Sequence, residues 1–256
     1  MTASGPPPGP EPHAARRGPA ARRGPAARRG PAARRGPGTR PLLTVAAVCA
    51  ALFTAAAVTV SVRHGVPLGP EQAPIHWSAA HHGEPLRSIA RVLTATGTGT
   101  VPYLLAVLAG LLAGRDARGR LRAVGCAVLV LAAGQAIRYG LMELLARPRP
   151  PALDWAGPAS GYAFPSGHAT TSALAAGILA WGIARRVGPA RARTWWAVLA
   201  VWAAGVGLTR VYLAVHWPGD VVGGWLLAAT LLCLALLLEP LAVPRTRPGN
   251  AHPTNS

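Results

Sequence analysis

Residues 42–62 and 221–238 each run from end to end without a charged side chain. A helix needs about 20 consecutive apolar residues to cross the hydrocarbon core of a bilayer. Inside lipid no water is present to satisfy N–H and C=O groups, so a spanning segment must bond its own backbone. Four further stretches approach the same length: residues 92–113, 121–146, 168–184 and 195–213. The second of the six starts with a polar, glycine-broken segment from Thr94 to Thr100, and the third carries Gln135, Arg138 and Glu143. The expected fold is all-α, an integral membrane bundle of six transmembrane helices.

Arginine placement supplies a second, independent pattern. All 26 basic residues are arginine, and the formal charge is +18. On a soluble domain such a charge points to nucleic acid. Here nine arginines lie in the first 40 residues and most of the others flank apolar runs, so no nucleic-acid partner is expected. With the amino terminus inside, the cytoplasmic segments are 1–41, 114–120, 185–194 and 239–256. The inner segments after the tail hold Arg115, Arg118 and Arg120, then Arg185, Arg186, Arg191 and Arg193, then Arg245 and Arg247. This is the positive-inside distribution. It places both termini in the cytoplasm of a multi-pass plasma-membrane protein.

Residues 1–41 read as a disordered basic tail. Ala-Ala-Arg-Arg-Gly-Pro recurs four times, from Ala14, Ala20, Ala26 and Ala32, with little apolar surface to bury. Its arginines suit either contact with anionic headgroups, worth about 1 kcal/mol each near the surface, or simple retention of the terminus inside. The apolar run from Leu42 is longer than a signal-peptide core and lacks a clear small-residue cleavage site, so cleavage is not expected. The membrane domain covers residues 42–240, and residues 241–256 form a short tail. Cys49, Cys126 and Cys233 lie within apolar stretches with no shared spacing, which favours neither disulfides nor a metal site.

Three polar clusters fall at the outer ends of the apolar runs, where the positive-inside bias does not account for charge. The first is Arg147-Pro148-Arg149-Pro150, just past the third run. Guanidinium is planar and permanently charged, and it binds two phosphate oxygens at once. The second is Pro165-Ser166-Gly167-His168, which opens a helix whose free N–H groups attract phosphate. There Ser166 adds a donor, Gly167 permits close approach, and His168 is placed to give a proton to a leaving oxygen. The third joins Thr209 and Arg210 to His216 and Asp220. Pro218 suits the first turn of the last helix, so the Asp220 carboxylate folds back toward His216 and makes it a better nucleophile. Each cluster alone has a blander reading: Arg147 and Arg149 as headgroup anchors, Ser166 as a helix cap, and His168 and His216 as interfacial residues. Arg210, deep in an apolar helix, is costly without an anionic partner.

Together the clusters resemble the type 2 phosphatidic acid phosphatase superfamily of six-span lipid phosphatases, whose motifs read K-x6-R-P, P-S-G-H and S-R-x5-H-x3-D. Pro165 to His168 match the second in full. Arg210, His216 and Asp220 match the third, with Thr209 in place of serine. The first departs from the pattern: the lysine position counted from Arg149-Pro150 is Met142, and Arg138, one helical turn earlier on the same face, is the candidate replacement. The resemblance implies that His216 attacks phosphorus and becomes phosphohistidine, that Asp220 orients it, and that His168 protonates the leaving oxygen. It also implies that Arg149, Arg210, Ser166 and Gly167 hold the phosphoryl oxygens, with no metal and no cofactor; Arg147 is a further candidate holder by its guanidinium chemistry.

The expected activity is hydrolysis of a lipid phosphate monoester or pyrophosphate on the extracytoplasmic face. Phosphatidate, phosphatidylglycerophosphate and undecaprenyl pyrophosphate are the candidate substrates, and membrane lipids are the expected partners. A lipid phosphotransferase using the same site is an alternative. So is a protein that binds or moves lipid phosphates without cleaving them, which Met142 favours and the His216–Asp220 pair opposes. Headgroup contacts are expected from residues 63–91 and 151–163, with Trp77 and Trp155 as interface anchors. His76, His81 and His82 lack the carboxylate partners of a metal site. Small residues in the spans leave the oligomeric state open.

Overall fold

The computed structural model describes residues 38–81 and 83–242, with residues 1, 2 and 5. The basic repeats, His82, Arg245 and Arg247 lie outside the described residues, as does most of both expected tails. Among the described residues the chain is all helical. The helices are α1 (Thr39–Val62), α2 (Gly69–Ala80), α3 (Glu84–Ala95), α4 (Thr100–Ala113), α5 (Ala117–Leu145), α6 (Gly167–Ala184), α7 (Pro189–Tyr212) and α8 (Pro218–Ala242). One 3-10 turn, Ala152–Asp154, lies in the loop before α6.

Helices α1, α5, α7 and the Pro218–Glu239 part of α8 are each long and apolar enough to cross a membrane. Helices α3 and α4 meet the same test as a pair bent by 49°. The chain is therefore a membrane protein with four to five candidate spans. The bend falls on the polar segment noted in the sequence, where Gly99 takes a positive φ of 65°. Helix α6 corresponds to the remaining expected span but is not among those that pass. Its first turns carry His168, Thr170, Thr171 and Ser172, and most of its residues are buried by protein.

That burial defines the architecture. Helix α6 is the central post, packed by α4, α5, α7 and α8, while α1 covers α8. Ala106, Ala109, Ala127, Leu131, Leu174, Ile178 and Ala228 form the main core around it. Alanine and glycine let the helix backbones approach closely, as membrane bundles require. At Gly224 of α8, for example, a β-carbon would lie 2.9 Å from the Ser166 carbonyl oxygen.

The end of the bundle away from the polar clusters is tied by arginines that the sequence assigns only to sidedness. Arg185 pairs with Glu239, and Arg186 donates to the carbonyls of Leu112 and Gly114, capping the end of α4. Asp116 caps α5 by accepting from Gly119 N at 2.7 Å.

Helices α5 and α7, which deliver the first and third clusters, both stop on an alanine in the left-handed conformation. Ala146 has φ 44° and Ala214 has φ 53°. After α7 the bonds Val215 N→Arg210 O (3.1 Å) and Ala214 N→Val211 O (2.9 Å) make a Schellman motif. The reversed backbone ends each helix abruptly, so Arg147 and His216 lie in tightly fixed loops at the same end of the bundle.

Candidate active site

The ends of α5 and α7 and the starts of α6 and α8 bring all three clusters together. Helix α8 begins at Pro218, so Asp220 lies in its first turn, as the sequence predicts. Asp220 Oδ2 accepts from Trp217 N at 2.8 Å and lies 3.4 Å from His216 Nδ1. The Asp220 backbone carbonyl accepts from Ser166 N at 2.9 Å, which joins the second cluster to the third. Both His216 and Asp220 are buried, at 2% and 0% exposure.

The other ring nitrogen of His216 faces a cation. Arg149 Nη1 lies 2.9 Å from Nε2, and the same nitrogen donates to the Val215 carbonyl at 2.8 Å. Arg149 Nε donates to Gly161 O at 2.9 Å and Nη2 to Ser160 O at 2.7 Å, so the guanidinium is fixed by the 151–163 loop. The His216 pKa is pushed well below its ordinary value, first by burial and then by the charges of Arg149 and Arg210; a bond to the Ala163 carbonyl acts weakly the other way. Its ring is thus a free base near neutral pH.

Around this pair lie the candidate proton donor His168 and two further candidate phosphate holders, Arg210 and Arg138. His168 is half-buried, and the titratable groups facing it are Arg210, His216, Arg149 and Arg138. Arg210 donates from Nη1 to Thr94 Oγ1 at 3.1 Å and from Nη2 to Pro158 O at 3.2 Å. Arg138 lies with Nη1 3.4 Å from Met142 Sδ, and its guanidinium also faces the Tyr139 ring. It presses on the start of α6 so closely that a β-carbon at position 167 would lie 3.2 Å from Arg138 Nη1. Arg138 therefore does reach the glycine of the second cluster, from the helical turn before Met142.

Among the described residues, five buried side-chain polar atoms have no hydrogen-bond partner, and three of them are Arg138 Nε, Ser166 Oγ and Arg210 Nε. A buried donor left unpaired costs about 1–3 kcal/mol. Ser166 stands at the N-cap of α6 yet makes no side-chain capping bond, so the cap reading of this residue does not hold. Half-buried Gly167, His168 and Arg149 form the open side of this group.

Arg147 is the exception among the expected phosphate holders. Its Nη1 donates to Asp220 Oδ1 at 2.6 Å, its Nη2 to Glu71 Oε2 at 2.7 Å, and its Nε makes a longer bond to Gly65 O at 3.4 Å. Each of its three nitrogens donates to a protein acceptor, and it supports Asp220 from behind. Burial works against its charge, but the two carboxylates outweigh that and raise its pKa above the ordinary value.

Two residues of the site carry no motif in the sequence: Glu71 of α2, which holds Arg147, and Thr94 of α3, which holds Arg210. A lone carboxylate and a lone hydroxyl outside the motifs give no spacing signal; only the high cost of an unpaired buried arginine calls for such partners. Of the histidines in the 63–91 segment, His81 bonds the Trp77 carbonyl through Nδ1 and stacks on the Trp77 ring. No group of three or more His, Cys, Asp or Glu side chains is placed to hold a metal among the described residues. The three cysteines are free thiols.

The PAP2 superfamily model matches residues 123–243, a range that includes the residues of all three motifs but not their partners Glu71 and Thr94. This chain carries a PAP2 superfamily domain. The chain is 39% identical over 94 residues to phosphatidylglycerophosphatase B of Escherichia coli K12, covering 36% of this chain and 35% of that protein. It is 33% identical over 78 residues to an undecaprenyl-diphosphatase of Sulfolobus acidocaldarius, covering 30% of this chain and 34% of that protein. The matches thus span about a third of the length of these curated relatives. The PAP2 fold extends further than the sequence matches. The crystal structure of a transmembrane PAP2 type phosphatidylglycerolphosphate phosphatase from Bacillus subtilis superposes with a TM-score of 0.66 at 22% identity, covering 79% of this chain and 98% of that one.

Proposed function

We propose that this protein is a lipid phosphate phosphatase that works through a phosphohistidine. The observation that carries the reading is the set of unpaired buried donors, Arg138 Nε, Ser166 Oγ and Arg210 Nε, gathered around two histidines of which one is backed by a carboxylate. A phosphoryl group presents several acceptor oxygens, and those donors would be satisfied as its charge builds.

In this reading a phosphoryl oxygen takes the Arg149 donor that faces His216 Nε2, and the freed Nε2 lone pair attacks phosphorus. Nδ1 faces the Asp220 carboxylate, so positive charge on the ring is stabilised. The bond to the leaving lipid oxygen breaks as His168 gives it a proton. Water, deprotonated by the same His168, then attacks the phosphohistidine. Phosphate leaves and His216 is restored. Arg149, Arg210, Arg138, Ser166 and Gly167 hold the phosphoryl oxygens throughout, and no metal or cofactor takes part.

The six-span topology and an extracytoplasmic site belong to the same proposal. They are supported by arginines that cluster at the end of the bundle opposite to His216, and by α6 lying where a sixth span is needed. Phosphatidate, phosphatidylglycerophosphate and undecaprenyl pyrophosphate are the substrates to test, the last two because the named relatives point to them.

The test is phosphate release from these three lipids by the purified chain and by His216→Ala, in detergent with EDTA. Release by the wild type that vanishes in the variant supports the reading. Equal release by both, or none by a folded wild type on any of the three lipids, removes it.

A further inference from the structure

We infer that Glu71, a residue of the outer helix α2, is a positioning residue for the reaction, acting on His216 through Arg147 and Asp220. The inference rests on the phosphatase reading above but is carried by different atoms. Glu71 is 6% exposed and accepts hydrogen bonds at both oxygens. Oε2 takes Arg147 Nη2 and Leu68 N, both at 2.7 Å, and Oε1 takes Gly219 N at 3.0 Å. Gly219 is the residue before Asp220, so one carboxylate fixes the backbone that carries Asp220 and also the guanidinium that holds its Oδ1.

A structural staple needs only the bonds; the charge adds something more. Arg147 stands between two buried carboxylates, Asp220 and Glu71. Two negative charges against one positive leave one net negative charge beside His216, in surroundings where water screens little. The other charges facing the ring are cationic: Arg149, Arg210 and Arg138. Without the Glu71 charge, Arg147 would neutralise Asp220 alone, and no net negative charge would balance the positive ring that forms as Nε2 bonds to phosphorus. Glu71 itself faces Leu68, Arg147 and Gly219, and none of its bonds goes to the side where the phosphoryl group is placed. Its loss should therefore slow chemistry with little effect on lipid binding.

The geometry also accounts for Arg147 within the Arg-Pro-Arg-Pro segment. Arg149 faces the reacting nitrogen, and two residues earlier Arg147 faces the far side of the carboxylate that supports that nitrogen. Helix α2 is thereby joined to the catalytic layer by charge.

Glu71→Gln tests this, because the amide keeps the size and the acceptor for Gly219 N but removes the charge. The variant and wild type are purified in the same detergent and compared per folded molecule. The expected result is kcat lowered by about tenfold or more, KM within twofold, and shifted 15N imidazole resonances of His216, assigned with His216→Ala. A purely structural role predicts a lower melting temperature, with wild-type kcat and unmoved His216 resonances in the folded molecules; that result overturns the inference. Should Glu71→Gln not fold, Glu71→Asp, which keeps the charge but draws it back from Arg147, is read in the same way. Should the wild type release no phosphate, the phosphatase reading fails by itself. The resonances then decide the inference: a shift sustains it, and their constancy ends it.

Discussion

Arg149 Nη1 sits 2.9 Å from His216 Nε2, so the nitrogen that the phosphatase proposal makes the nucleophile meets a guanidinium donor. Three loop carbonyls, of Ser160, Gly161 and Val215, hold that guanidinium in place. Its position fixes which His216 tautomer is present, because a nitrogen facing a donor carries the lone pair. In the proposed reaction it also sets out a donor where a phosphoryl oxygen comes. Lysine cannot reproduce this forked pattern. Arg149→Lys should therefore lower kcat/KM for lipid phosphate by about 100-fold, the scale of losing one preorganised donor to a developing charge. Steady-state kinetics on the folded variant check this, and a loss under fivefold would show that charge alone suffices.

In the proposed reaction Arg138 takes the part of the lysine that the family motif places at Met142. Its Nη1 lies 3.4 Å from Met142 Sδ, so a cation introduced at position 142 would occupy nearly the same place. Arg138→Ala should reduce kcat/KM by about tenfold to a hundredfold, or ~1.4–2.7 kcal/mol of transition-state stabilisation. Met142→Lys added to Arg138→Ala should restore most of that loss. Met142→Lys alone should give no gain, since two cations would crowd one site. The double variant decides: activity no better than Arg138→Ala would mean that Arg138 is held there for packing.

The readable parts of the chain were those with a period or a fixed spacing. Charge-free runs marked α1 and α8, and Pro218 placed Asp220 in an opening turn, where the structure has it. The polar break from Thr94 to Thr100 was legible as a flaw in a span, and it is the 49° bend between α3 and α4. Sequence spacing put Arg147 and Arg149 on one short segment but could not tell which anion each would meet. Tertiary partners decide that, and Glu71 comes from a segment more than one helix away. The ends of α5 and α7 were hidden for a simpler reason: glycine is the usual signal of a left-handed stop, and both helices stop on alanine.

The depressed pKa of His216 links activity and stability to pH. Buried beside Arg149 and Arg210, the folded ring resists protonation, whereas in the unfolded chain it titrates near 6.5. As pH falls below about 6.5 the unfolded state binds a proton that the folded state refuses, so stability drops. The slope from this one group is about 1.4 kcal/mol per pH unit until the folded pKa is reached. Above 6.5 both states are neutral and the contribution is fully retained. His216→Gln should flatten the fall in melting temperature between pH 6.5 and 5. The acid limb of the wild-type kcat/KM profile should likewise lie well below 6.5. A limb centred at 6.5, or a variant as acid-sensitive as the wild type, would contradict a buried neutral nucleophile.

Ala146 and Ala214 share a left-handed backbone but differ in burial, and the difference predicts opposite responses to glycine. Left-handed geometry costs a residue with a β-carbon about 1–2 kcal/mol. Glycine removes that cost but adds about 0.4–1 kcal/mol of unfolded-chain entropy. Ala146 is exposed, so its methyl group contributes little packing, and Ala146→Gly should stabilise the fold by about 0.5–1 kcal/mol. Ala214 is fully buried in a cluster with Ile75, Ala163 and Trp217. There the lost methyl contacts offset the relief, and Ala214→Gly should be neutral or destabilising. Thermal unfolding of both variants in one detergent gives the comparison. If Ala146→Gly lowered the midpoint as much as Ala214→Gly, strain at the helix stop would not be the controlling term. Because Ala146 directly precedes Arg147, wild-type kinetics in a stabilised Ala146→Gly would also show that the guanidinium is positioned by its carboxylate partners and not by tension in the turn.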